Sequence, residues 1–243
     1  MNMKPAIQFQ LRDYRTSGFI LFLVNAILVS LVPLGLFSIN VNDQFSYSAY
    51  GFSAAIYMLV CGIVFARQVI RLCAQMGTGR KTAFRSLFPS VILAALVIAL
   101  AGEILMVTAQ TLWGSVTNAY FNDLYGLIYH GFEQELTLPQ HGVSVLFSTC
   151  LMLACYGFGL FCTTLFWRLN KIGCVIAGIL LGTTLLFGIP FLSLQFVAQM
   201  DMLLAFCLAS PWNCMGVFLV IFLCFSIIAW FLVRNVHIRA VSK

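Results

Sequence analysis

Apolar residues run along this chain in stretches of about 20, separated by short polar segments. Six such stretches stand out, at about 18–38, 51–72, 88–110, 144–166, 172–193 and 215–234. At 1.5 Å per helical residue each crosses a hydrocarbon core of about 30 Å. Backbone N–H and C=O groups cannot be left unpaired in lipid, so the pattern predicts helices. No ten-residue segment alternates apolar and polar positions as a membrane barrel requires. The expected fold is all-α, a polytopic membrane protein with six transmembrane helices in a single domain, 1–243.

Four segments are more than connectors. Residues 1–17 place Ile7, Leu11, Tyr14 and Gly18 at helical spacing with Arg12, Asp13 and Arg15 on other faces, which predicts a short helix in the interface before the first span. The alternative is a basic tail. Residues 73–87 read as a hairpin: a helix end, a Gly-Thr-Gly turn at 77–79, and a new helix from about Lys81 or Thr82. The segment 111–143 carries Tyr120, Phe121, Tyr125, Tyr129 and Phe132, either as a small cap continuing the third span or as interfacial anchors. Residues 194–214 are too apolar for a solvated loop and too interrupted for a clean span. Pro190 and Pro211 bracket them and Asp201 sits within, which predicts re-entrant helices between spans five and six.

Composition agrees with lipid as the solvent. The chain is 62% hydrophobic and 8% charged, against about 25% charged in soluble domains. Charge then sets the orientation. All 13 basic residues lie before the first span, at or between the ends of spans two and three, between four and five, or at or after the end of the sixth. With six spans these places share one side, which the positive-inside rule makes the cytoplasm, with both termini there. Asp43, Asp123, Glu133, Glu135 and Asp201 fall on the other side. The net charge of +6 is thus a topology signal rather than a sign of nucleic-acid binding. The first apolar run is longer than the 7–15 residues or so of a secretory signal and lacks a small-residue cleavage site, so it reads as a span.

Candidate chemistry is sparse. Gly77, Gly79, Lys81 and Thr82 suggest a phosphate-binding loop, but Arg80 separates Gly79 from Lys81 and an apolar helix precedes the loop instead of a strand. Both spacing and context exclude it. The three histidines form no H-E-x-x-H pair, there is no G-x-S-x-G elbow, and no CxxC suggests a metal. No catalytic residue or metal ligand is expected. A disulfide between Cys207 and Cys214, both on the outer side, is left open. Glu103 is the single ionisable residue expected deep inside a clean span. It either lines a translocation path or makes a static polar contact with a neighbouring helix.

The segment GTGRKTAFR, residues 77–85, is similar to the Gly-x-x-Arg-Lys-x-x-Phe stretch in the first cytoplasmic loop of small Gram-positive exporter permeases. Together with the six-span pattern it resembles an ABC-2-type exporter permease, nearest to those exporting amphipathic peptide toxins of the phenol-soluble-modulin type. The resemblance implies that Gly77, Gly79, Arg80, Lys81, Thr82, Phe84 and Arg85 form or border a coupling element seated on a separate ATPase subunit. Trp167, Arg168 and Lys171 would be a lesser contact. It also implies a permease homodimer in the cell membrane, an amphipathic peptide or lipid-like substrate, and ATP and Mg held wholly by the partner. The hairpin would therefore serve nucleotide hydrolysis without touching the nucleotide. Two rivals stand beside it: a secondary transporter, and a membrane peptide-binding or immunity protein with no ATPase.

Overall fold

A computed structural model describes residues 4–31, 45–47, 49–75, 80–117, 119–130, 136–169, 173, 176, 178, 183 and 197–234. Its elements in chain order are α1 (Lys4–Leu31), β1 (Phe45–Tyr47), α2 (Ala49–Gln75), α3 (Arg80–Thr117), β2 (Ala119–Phe121), α4 (Leu124–Tyr129), α5 (Leu138–Arg168), α6 (Val197–Ala209) and α7 (Pro211–Arg234). Four helical segments are long and apolar enough to cross a membrane: Ile7–Leu31, Phe84–Trp113, Leu138–Trp167 and Pro211–Arg234. The chain is a helical membrane protein. Helix α2 is also 27 residues long, apolar from Ala49 to Phe65. Of the expected fifth span, 172–193, only Gly173, Ile176, Gly178 and Thr183 are among the described residues, all four helical.

Side-chain contacts fix the helix directions. At one end, Gln10 of α1 meets Ser86 of α3, Thr163 of α5 donates to the Ile63 carbonyl of α2, and Phe84 of α3 stacks on Trp230 of α7. At the other, Ser53 of α2 donates to Asn25 of α1, β1 pairs in parallel with β2, and Phe147 of α5 meets Phe218 of α7. Helices α1 and α3 thus run one way and α2, α5 and α7 the other. The first end carries the basic residues and is called the basic end below.

The expected interfacial helix and first span are one element. Helix α1 runs unbroken through 28 residues, with no proline after its second position to separate an interfacial limb. Polar side chains then pin it to the bundle. Gln10 lies between Ser86 and Ser90, Ser17 bonds the Tyr57 hydroxyl at 2.7 Å, and Asn25 accepts from Ser53. These contacts hold the segment along the bundle as part of α1. Helix α3 has 38 residues, about 57 Å at 1.5 Å per residue, longer than a hydrocarbon core of about 30 Å, and β2 and α4 follow it.

Two seams hold the centre. Helices α2 and α5 approach until Gly62 and Gly159 lie backbone to backbone, and α5 receives Phe222 of α7 against Gly157. Small residues let membrane helices come this close, where dispersion is the main attraction. Of the expected re-entrant region, one 13-residue helix is described, α6, too short to span. It stops at Ser210, where the Ser210 carbonyl takes the Asn213 N–H as α7 begins. Cys207 and Cys214 on either side of this break are free thiols.

Candidate functional site

Helix α5 starts at Leu138 because Thr137 and Gln140 form a capping box: the Thr137 N–H donates to Gln140 Oε1 at 2.6 Å, with Pro139 in the first turn. That start sets His141, Ser144 and Ser148 on one face, three and four residues apart. They face Glu103 of α3. His141 Nδ1 and Glu103 Oε1 share a hydrogen bond at 2.5 Å, and Ser144 Oγ donates to Glu103 Oε2 at 2.8 Å. Glu103 is 7% exposed, while the His141 side chain is 32% exposed.

A second carboxylate completes the cluster. Asp123 precedes α4 in the N-cap position, yet its side chain makes no cap bond. Instead Oδ2 accepts from Ser148 Oγ at 2.5 Å and from Ser144 Oγ at 3.3 Å. Ser144 has one hydroxyl proton, so it bridges two carboxylates while serving one at a time. Asp123 is 5% exposed, and its Oδ1 has no hydrogen-bond partner among the described residues. That oxygen packs beside Gly51 of α2, where a Cβ would stand only 3.0 Å away. Beside the two acids lies a cavity of about 220 Å³, walled by Met106, Val107, Phe121 and Leu136 and also lined by Gln110 and His141. Gln110 shapes its far wall by accepting the Phe121 N–H at 2.9 Å.

Glu103 therefore makes a helix–helix polar contact, one of the two roles expected of it. Its isolation is corrected. It lies within the apolar segment Phe84–Trp113, level with the first turn of α5. It has a carboxylate neighbour, Asp123, brought from a separate segment. Above the cluster, Tyr129 of α4 donates to the Cys207 carbonyl at 2.8 Å, tying α6 to the cap. Burial pushes the Tyr129 phenol above the ordinary tyrosine range, and its hydrogen bond with Cys214 adds to this.

The hairpin residues lie at the basic end. Gly77, Gly79 and Lys171 are outside the described residues. Arg80 and Lys81 are the first two residues of α3, matching the expected helix start, and Arg168 closes α5. Thr82 and Trp167 are half-buried and Arg85 is exposed. Phe84 differs from expectation. It is 4% exposed, stacked on Phe88 and on Trp230 at 5.2 Å, so it fastens the hairpin to α7 and faces no partner. With Trp230 it forms the floor of a notch of about 430 Å³ rimmed by Arg85 and Arg234. No salt bridge to either arginine occurs among the described residues.

No family model, curated protein or solved structure matches the chain.

Proposed function

We propose that this chain is the transmembrane subunit of an ATP-driven exporter, moving amphipathic peptides or lipid-like molecules outward with energy from a separate ATPase subunit. The observation that carries the reading is the basic end of α3. Its first residues, Arg80 and Lys81, follow Gly77 and Gly79 in the sequence, and Phe84 fixes the start of α3 to α7 beside Arg85 and Arg234. A force applied at this hairpin reaches both α3 and α7. The same helix α3 holds Glu103 18 residues beyond Arg85, about 27 Å along the axis, so one rod joins the basic end to the outer cluster.

The reading includes six spans with both termini in the cytoplasm of a plasma-membrane protein. Helix α5 ends at the basic end, whereas α7 begins at the outer end and runs the same way as α5. The reading assigns the return crossing to the apolar stretch 172–193. Two copies pairing around a path, ATP and Mg bound by the partner, and no chemistry on this chain complete the proposal.

The test is purification of the tagged chain from native membranes in mild detergent, with Arg80→Glu/Lys81→Glu alongside. A stoichiometric ATPase that the variant loses is the expected result. If both forms come down without one, the secondary-transporter reading takes precedence. That second reading has its own support in the buried Glu103–His141–Asp123 cluster, since ionisable groups in such positions mark ion pathways.

A further inference from the structure

We infer that the notch between α3 and α7 at the basic end binds one anionic phospholipid, with Arg85 and Arg234 on its phosphate and its acyl chains along the exposed apolar faces of the two helices. The site belongs to this chain whether or not an ATPase binds, so it does not rest on the exporter reading.

The first ground is charge without a counterpart. Arg85 and Arg234 line the notch together, and a guanidinium keeps its charge at any pH a folded protein meets. Neither makes a salt bridge among the described residues, Asp13 of α1 included. The sequence holds no Asp or Glu in 44–102, 136–200 or 202–243. The helix ends that build the notch, and the stretches beside them, therefore have no carboxylate to offer. Each guanidinium can give a phosphate two parallel N–H bonds, and a phosphodiester brings the negative charge that the pair lacks.

The second ground is position. One apolar segment, Phe84–Trp113, begins at the notch and another, Pro211–Arg234, ends there. Both arginines thus stand where hydrocarbon gives way to headgroups. Trp230, half-buried in the floor, is a residue type that collects at that level. Basic pockets between membrane helices at this depth are headgroup sites.

The third ground is shape. The notch holds about 430 Å³, against the ~150 Å³ that accepts a benzene ring, so a phosphate with its glycerol fits. Helical spacing puts an exposed apolar stripe behind each arginine. On α7, Leu223, Ile227 and Phe231 recur every fourth residue, and Arg234 falls on the same face. On α3, exposed Ile92 and Leu96 share the face of Arg85. Inorganic phosphate would use the arginines alone, whereas a diacyl lipid uses the stripes as well.

The experiment uses the full chain, purified from native membranes and delipidated in dodecylmaltoside. Native mass spectrometry follows dioleoylphosphatidylglycerol, dioleoylphosphatidylcholine and sodium phosphate as separate probes. One phosphatidylglycerol should bind saturably, about tenfold or more tighter than phosphatidylcholine, and sodium phosphate should not displace it. Arg85→Gln and Arg234→Gln should each weaken it about fivefold, and the pair about thirtyfold. Arg12→Gln/Arg15→Gln removes two exposed arginines of α1 at the same end and should leave affinity unchanged. The single variants keep the inference testable if the pair does not fold. Equal affinity for the two lipids, equal losses in the two double variants, or no saturable binding overturns it. Displacement by sodium phosphate overturns it in favour of a free-phosphate site. Parental lipid affinity in a folded Arg85→Gln/Arg234→Gln protein that sheds a co-purifying protein overturns it in favour of that partner.

Discussion

Replacing Gly62 by alanine tests whether the α2–α5 seam sets the stability of the bundle. A Cβ built at Gly62 stands 2.5 Å from the Tyr156 carbonyl oxygen and 3.1 Å from the Leu160 nitrogen. Ordinary contacts begin at 3.4 Å, so the helices must open by about 0.9 Å. The obstacle is backbone, and no side chain can swing aside to absorb it. Opening by that amount also stretches the bond from Thr163 Oγ1 to the Ile63 carbonyl, now 2.8 Å, past the limit of a hydrogen bond. Overpacking of this kind costs about 1–3 kcal/mol. The lost interhelical bond adds about 0.6 kcal/mol, and the better helix propensity of alanine returns about 1 kcal/mol. The net expectation is a loss of about 0.6–2.6 kcal/mol.

Gly159→Ala should behave alike, since its Cβ meets the Leu59 carbonyl more closely still. The double variant should lose less than the sum, because one opening of the seam accommodates both methyl groups. Unfolding in mixed micelles by SDS titration, followed by far-UV circular dichroism, measures each difference. Gly216→Ala is the internal control: it lies in α7 with nothing within 4 Å, and should be neutral or stabilising by up to about 1 kcal/mol. If Gly62→Ala and Gly159→Ala are as benign as Gly216→Ala, the close-packed seam is not what limits stability.

Glu103→Ala leaves His141 and Ser144 facing an empty acceptor site and should cost about 2–4 kcal/mol, whereas Glu103→Gln keeps an acceptor and should cost about 1 kcal/mol, both read from the same titration. Tyr129→Phe removes the bond to the Cys207 carbonyl and should release α6 from the cap by about 1 kcal/mol, seen as faster amide exchange over 197–209 with the core unchanged. The raised Tyr129 pKa means the folded state holds the phenol proton more tightly than the unfolded chain does. The stabilisation it lends is complete below the ordinary tyrosine pKa of about 10 and is lost as pH rises from there through the higher folded value. With the intrinsic base catalysis of exchange divided out, protection over α6 should therefore fall at alkaline pH in the parent and stay level in Tyr129→Phe.

Helix existence and the start of α3 near Lys81 were legible because both are local: length, hydropathy and a helix-breaking Gly-Thr-Gly sequence lie within one window. Glu103 stood out for the same reason, as one carboxylate in an apolar run. Its partners did not. Asp123 read as an outer-loop acid and His141 as one of three scattered histidines, and nothing within either segment signals that both converge on Glu103 of α3. Their convergence depends on α3 length, the Thr137–Gln140 start of α5 and the β1–β2 pairing, which are separated by up to 95 residues between Phe45 and Gln140. The three-residue strands carry no alternation to read. Phe84 misled because an aromatic residue in a basic loop looks free, whereas Trp230, 146 positions away, takes it.

The same α3 helix holds a point where movement at the basic end can be absorbed or passed on. Pro89 lies inside it and lacks the N–H that would bond the Arg85 carbonyl, so the helix is weakest one turn from the hairpin. Ser86 and Ser90 flank that proline, and Gln10 of α1 bonds both, while Ser90 Oγ also reaches the Ser86 and Leu87 carbonyls. This brace stiffens α3 where proline loosens it, at the expense of tying the joint to α1. With Gln10 in place, a push on Arg80 and Lys81 should travel along α3 to Glu103. Without it, the short limb 80–88 should bend alone. Gln10→Ala therefore tests coupling apart from assembly: it should leave any partner bound at the hairpin, yet reduce the change in crosslinking between cysteines placed at Val107 and Leu136 when that partner is driven through its cycle. Equal crosslinking changes in Gln10→Ala and the parent would show that α3 transmits as a single rod and that the brace serves packing alone.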